Sequence, residues 1–330
     1  MAYKNFTKII IKKLLLFLSL VLFISFISFL LMDLSPIDPI NAFGRSQGIG
    51  LSHEKKAQLI IKWGLDKPFF TRYILWLKNL FMGDLGISNI YERPVISVIR
   101  EGFFSSAMLM LAAWTLQGIV GFILGVISGV KHNKLTDKII KLYCIVVSST
   151  PTFWVALLMI MLFAVKLGWF PIGFSAPIGV LEKDVTIIDR MYHMILPAIT
   201  LAFVGIANIA LHTREKVIDV MNSDYILFAR VRGLKGFSLI TKCGLKNVVL
   251  PAITLQFAYF SELFSGTILA ENAFSYPGLG SIAVNAGLSG DVPLLLGITV
   301  FSAVFVFLGN QIADILHLII DPRIRKGGKS

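Results

Sequence analysis

Six apolar blocks, each long enough to cross a bilayer, leave this chain few folds to choose from. They run over 14–32, 103–130, 142–165, 194–211, 251–270 and 292–320, and a spanning helix needs about 20 residues. The last block is interrupted by Asn310, Gln311, Asp314 and His317. In hydrocarbon every backbone N–H and C=O must be paired internally, which leaves helices or a closed barrel. Ten-residue alternating segments of the barrel type are absent, so an all-α membrane protein with six transmembrane helices is expected. Composition agrees: 56% hydrophobic and 15% charged residues, with a mean hydropathy of +0.78, exceed what a soluble domain carries.

Charge orients the spans. Lys4, Lys8, Lys12 and Lys13 precede the first block, and Lys131, Lys134, Lys138 and Lys141 separate the second from the third. Arg214, Lys216, Arg230, Arg232, Lys235, Lys242 and Lys246 lie between the fourth and fifth, and Arg323, Arg325, Lys326 and Lys329 follow the sixth. The loop after the fifth block has no Lys or Arg, and the loop after the third balances its charges. Positive segments stay inside, so both termini are expected in the cytoplasm. The net charge of +12 thus reads as a topology signal and not as a nucleic-acid surface. The first apolar run is longer than a signal-peptide core, and Asp33-Leu-Ser-Pro36 offers no small-residue cleavage site, so residues 1–32 are read as a retained N-terminus and first helix. Cys144 falls in a span and Cys243 in a cytoplasmic loop, so no disulfide is expected.

Residues 33–102 form a sizeable extracellular region; it carries nine basic and seven acidic residues and is long enough to escape the positive-inside rule. Two short amphipathic helices are expected there. One covers 51–63, capped by Ser52, ended near Gly64, with Leu59, Ile60 and Trp63 on one face. The other covers 69–81, with Phe70, Tyr73, Ile74 and Leu77 at helical spacing. The remaining divisions are a five-helix core over 103–320, including a cytoplasmic loop at 213–250, and a tail at 321–330. Gly121, Gly125 and Gly129 in the second block expose a strip of bare backbone for helix packing.

Few residues offer chemistry. Gly327-Gly328-Lys329-Ser330 lacks the first glycine and the following helix of a phosphate loop, and Gly278-Leu279-Gly280 lacks the preceding strand of a dinucleotide fingerprint. The histidines have no zinc spacing. No Ser-His pair, paired Asp or metal set falls within the spans, so no catalysis, cofactor or metal site is expected. Asn310, Asp314, His317 and Asp321 share one side of the sixth span and read as interhelical hydrogen bonding and snorkelling. Glu262 stands about midway along the fifth span, where a carboxylate is costly and seldom faces lipid. Tyr259, Ser265 and Gly266 lie on its face. It is either a pathway group meeting a positive charge or a buried acid held by neighbouring helices. In the loop, Ser223 or Asn222 can cap a helix through Tyr225, Phe228, Ala229, Arg230 and Arg232, ended by Gly233 in a left-handed turn. Such a helix suits a groove on a soluble partner or a bed of anionic headgroups.

The string Asp224-Tyr225-x-x-x-Ala229-Arg230-x-Arg232-Gly233-Leu234, followed by Lys246-Asn247-x-x-Leu250-Pro251, resembles the coupling-loop signature of ABC importer permeases of the dipeptide/oligopeptide/nickel branch. The resemblance covers nearly the whole chain. It takes in Gly64-Leu65-Asp66-Lys67-Pro68, Gly83-Asp84-Leu85-Gly86-Ile87-Ser88, Pro151-x-Phe153-Trp154, Glu271-Asn-Ala-Phe274-Ser-Tyr-Pro277-Gly278-Leu279-Gly280 and Asp321-Pro322-Arg323-Ile324-Arg325. Each motif alone is weak; five in order are specific. The long first outer region resembles that of the first permease of the pair.

The resemblance implies a type I importer permease in a bacterial inner membrane, transporting short peptides, with nickel or another metal chelate as the alternative. It implies a second related permease, two ATPases that carry ATP and Mg, an extracellular solute-binding protein and surrounding lipid. It makes Tyr225, Phe228, Ala229, Arg230, Arg232, Gly233 and Leu234 the ATPase-coupling residues. Glu262, Tyr259, Ser265 and Gly266 become pathway residues, and Glu271, Phe274, Pro277, Gly278 and Gly280 a receptor-side loop. The wider superfamily often has a Glu where this chain has Leu227, which moves the expected contact to Tyr225, Arg230 and Arg232. A self-sufficient secondary transporter would show inverted repeats and interrupted helices, and the sequence displays neither.

Overall fold

A computed structural model describes residues 2–36, 38–46, 51–234 and 236–320, with side chains left out at a few further positions. Lys235, Asp321 and the tail to Ser330 lie outside the described residues. Among these the chain is helical, and the one β feature is an isolated antiparallel bridge between Ile87 and Pro94. Four helices are long and apolar enough to cross a membrane: α1 (Ala2–Asp33), α5 (Val95–Val130), α8 (Ile187–Met221) and α14 (Val292–Ile320). Two bent pairs raise this to six if each pair is one span.

The bends revise the third and fifth spans. In the third, α6 (Leu135–Ser148) and α7 (Thr152–Met159), the latter continued by a π-helical stretch to Lys166, meet at 106°. Pro151 is the cause: it has no N–H to continue the ladder, and the residue before a proline is pushed out of the helical region. In the fifth, α11 (Leu245–Ala258) and α12 (Phe260–Ala273) meet at 50° at Tyr259. Interrupted helices are therefore present after all. Helices also outrun the apolar blocks: α5 starts eight residues early, α8 runs through Pro197 to Met221, and α11 begins before Pro251. Hydropathy marks where lipid lies, whereas helical pairing continues into the polar margins.

The chain divides into two compact units, residues 1–105 with 278–308 and residues 106–277 with 309–330. In the first, α2 (Pro39–Ser46) is a helix the apolar pattern missed. Asp38 caps it through Ile40 N at 2.9 Å, and Pro39 takes the first helical position. Its Ile40 and Phe43 bury against Leu59 of α3 (His53–Trp63). Ser52 and Gly64 end α3 as expected, Ser52 Oγ accepting from Lys55 N and Gly64 adopting φ +67°. The second amphipathic helix, α4 (Phe69–Phe81), turns a different face inward. Tyr73 buries with Phe29 and Leu296, beside Phe69 and Trp76, while Phe70 and Ile74 are exposed. Ser25 Oγ lies 3.0 Å from Tyr73 Oη, which pairs a polar atom of α1 with α4. Asp291 is fully buried; it accepts from Ser88 Oγ at 2.6 Å and Ile90 N at 3.0 Å, and caps α14 through Leu294 N.

The second unit is built on α5 and α8. A Cβ added at Gly121, Gly125 or Gly129 would come within 2.9, 2.5 and 2.5 Å of the Cβ atoms of Ile209, Thr213 and Val217. Both helices step by four residues, so bare backbone on α5 receives a side chain of α8 at each step. Cys144 and Val147 of α6 pack on Ala207 and Ala210 of α8. Asp137 closes one end of this unit. It accepts from Arg214 Nε at 2.6 Å and Nη2 at 2.8 Å, from Ser128 Oγ at 2.6 Å and from Asn133 N at 2.9 Å.

Candidate functional site

The segment after α8 folds as the sequence predicts in outline. Helix α9 (Asp224–Val231) is followed by Gly233 at φ +92°, a conformation that disfavours any side chain although no atom lies within 4 Å of a Cβ built there. Ser223 stands at the N-cap, yet its hydroxyl donates to Val220 O and not to the helix start. The inward side is Ile226, 0% exposed, and Ala229, 7% exposed. Both join Val126, Val217, Val220, Leu239 of α10 (Gly236–Leu239) and Val248 in one apolar cluster, with Leu234 against it. Ala229 is thus a core residue of this chain, not part of the surface offered to a partner. Outward and exposed stand Tyr225, Leu227, Phe228, Val231, Arg230 and Arg232. Arg232 lies over the Phe228 ring at 5.2 Å, Arg230 Nη2 donates to Met221 O, and Asn247 Nδ2 donates to Tyr225 Oη at 2.8 Å. These contacts tie Arg230 to the end of α8 and Tyr225 to α11, and hold Arg232 against α9 itself.

The second cluster surrounds the bend of the fifth span. Glu262 stands in the first turn of α12 and is exposed. With Tyr259 and Gly266 it lines a crevice of about 70 Å³ whose other wall carries Gln117, Thr152 and Asn208. The predicted spacing therefore brings three of its four residues together. Ser265 does not line the crevice; its hydroxyl donates to Ser261 O. Gln117, Thr152 and Asn208 were not foreseen, although an amide within an apolar span is itself a signal of an inward or wet position. Nearby, Ser261 Oγ donates to Asn310 Oδ1 at 2.6 Å, which agrees with interhelical bonding at the top of the α14 polar stripe.

The loop expected on the receptor side is mostly internal. Glu271 is fully buried and accepts from Ser106 Oγ at 2.5 Å; Phe274 is buried, and its carbonyl accepts from Phe174 N at 2.9 Å. Gly278 and Gly280, at the start of α13 (Leu279–Leu288), are buried too, which leaves Pro277 as the exposed member of the set. Burial raises the Tyr276 phenol above its ordinary range, and the Glu271 carboxylate adds to the shift while Arg190 opposes it.

Among the described residues no group of three or more His, Cys, Asp or Glu gathers to hold a metal ion.

Residues 121–326 match the family described as binding-protein-dependent transport system inner membrane component. The oligopeptide transport system permease protein AppB of Bacillus subtilis is 35% identical over 316 residues, 96% of this chain and 98% of that protein. A putative peptide transport system permease protein of Brucella abortus is 33% identical over 97% of this chain and 99% of its own length. The probable D,D-dipeptide transport system permease protein DdpB of Escherichia coli is 33% identical over 80% of this chain and 83% of its own. With the family matched over well over half of its length and such relatives along nearly all of it, the chain belongs to the binding-protein-dependent transport system inner membrane components.

Proposed function

We propose that the chain is one permease subunit of an ATP-driven importer of short peptides in a bacterial inner membrane, with six spans and both termini in the cytoplasm. It works with a second permease, two ATPases that bind ATP and Mg, and an extracellular solute-binding protein; it binds no cofactor itself. The carrying observation is α9. Its inner side is locked into the core by Ile226 and Ala229, while Leu227, Phe228 and Val231 are 59%, 62% and 81% exposed. Three apolar side chains left open on eight residues need a cover, and burying one fully stabilises by about 1.5–3 kcal/mol. A groove on the ATPase provides it, with Leu227 making an apolar contact where many relatives of the wider superfamily place an acid.

A helix seated this way transmits force: a push on Phe228 reaches α5, α8 and α11 through Ile226 and Ala229. ATP binding and the loaded receptor favour the same state of the permease, so hydrolysis is coupled to delivery. Glu262, Tyr259 and Gly266 line the path that the alternation exposes. The test is co-purification of the chain with a second permease and two ATPases, and peptide uptake by that complex in liposomes. Uptake that needs both the binding protein and ATP is expected; uptake by this chain alone would overturn the assignment.

A further inference from the structure

The crevice at Glu262 is small, and Glu262 is the one charged residue among those lining it. At about 70 Å³ it has room for a few waters, each needing roughly 10–15 Å³, or for one charged headgroup, but not for the body of a peptide. No Lys, Arg or His is among the residues lining it. Glu262 has no ion-pair or hydrogen-bond partner among the described residues. Opposite it, Gln117 is 2% exposed, and its Oε1 is buried without a donor. That oxygen lies against Gly205, another lining residue, where any Cβ would collide with it. A carboxylate open to a crevice within a span, with no cation beside it, is costly unless a donor arrives.

We propose that this crevice is a subsite for the primary ammonium of the solute in transit. Glu262 supplies the opposite charge and the Asn208 amide a neutral acceptor, with the Tyr259 and Thr152 hydroxyls and the Gln117 amide at the margin. An ammonium group presents three donors, which this set can accept. One carboxylate with amide and hydroxyl oxygens suits a monovalent ammonium better than nickel, copper or zinc, which favour imidazole or thiolate. The inference rests on the reading of the chain as a peptide permease. The α-ammonium is the positive charge that unmodified peptides share whatever their side chains, so a site of this kind reads the class and ignores the sequence.

The test places a reporter cysteine at Gly266, where an added Cβ meets only Leu201 Cδ2 at an ordinary 3.6 Å. Cys243 is replaced by Ala, and Cys144 is fully buried. In the assembled transporter without receptor, alkylation of Gly266→Cys by N-ethylmaleimide is followed by mass spectrometry on this chain. Millimolar alanyl-alanine should slow the reaction several-fold, while N-acetyl-alanyl-alanine and potassium chloride at the same concentration should not. Adding Glu262→Gln should abolish the protection. Equal protection by amine and N-acetyl forms, no protection, or protection unchanged by Glu262→Gln would overturn the proposal. Val204→Cys, on the other wall, serves as a second reporter, and failure of both cysteines to react would overturn the crevice as an accessible site. Receptor- and ATP-dependent uptake by the wild-type complex separates the two levels. If uptake fails, the importer reading falls; if uptake holds and protection does not discriminate, only the subsite falls.

Discussion

Asp137 and Glu262 are carboxylates carried by helices of the same unit, and they are held in opposite ways. Asp137 is 2% exposed and accepts four hydrogen bonds, two of them from one guanidinium. Glu262 is exposed to a crevice and accepts none among the described residues. The first has exchanged water for a complete set of protein donors, which makes it a clamp between the α5–α6 turn and α8. The second keeps its capacity free. In a membrane protein the number of partners an acid already has separates the structural role from the functional one better than burial does.

The contrast breaks first at the clamp. Asp137→Ala strands Arg214, which is mostly buried, and loss of one member of a buried pair costs about 3–5 kcal/mol. The variant complex should assemble poorly and unfold at clearly lower temperature. Arg214→Ala should do the same, with the double variant costing less than the sum. Additive losses in thermal unfolding would show that the two do not act as a pair.

The next effect distinguishes the two sides of α9. Ala229→Glu buries an unpaired carboxylate in the apolar cluster, and the assembled protein should fall by several kcal/mol of stability. Phe228→Ala removes an exposed ring, leaves the fold within about 0.5 kcal/mol and costs about 2 kcal/mol of docking, the size of an interface anchor. Ligand-stimulated ATPase activity should then drop more than tenfold at normal assembly. Normal coupling in Phe228→Ala would return α9 to the lipid surface. Gly233→Val should sit between them, since a β-branched residue at φ +92° carries about 1–3 kcal/mol of strain even in open space.

The smallest change in stability is expected at the crevice. Glu262→Gln should leave unfolding within about 0.5 kcal/mol of wild type while uptake per assembled complex decreases; Glu262→Leu should also assemble, because no neighbour loses a bond. A stability loss like that of Asp137→Ala would erase the contrast, and unchanged uptake in both would remove Glu262 from the path.

What could be read from the sequence was local. Ser52, Gly64 and Gly233 act within a turn of themselves, so cap and stop signals placed α3 and the end of α9 correctly. The Gly121, Gly125 and Gly129 strip needed only helical periodicity. The 106° break was missed although Ser148-Ser149-Thr150-Pro151-Thr152 is a turn-forming cluster, because hydropathy averages these five residues into the apolar run on either side. The inward side of α9 was not readable: apolar residues surround this short helix, and only packing against Val217 and Val248 selects Ile226 and Ala229. Likewise Arg214 meets Asp137 across 77 positions, and Gln117 lies beside Glu262 in the crevice across 145, separations over which single-sequence periodicity carries no register.

The four-residue meshing of α5 with α8 limits how this transporter subunit can move. With Ile209, Thr213 and Val217 each seated on a glycine, a small axial slip would drive a side chain into backbone. The next seated register is a whole step away, four residues or about 6 Å. The two helices therefore behave as one stiff beam, and gradual displacement is left to the joints at Pro151 and Tyr259. A bulky residue at Gly125 would pry the beam open, whereas one added at either joint would change how far the beam swings.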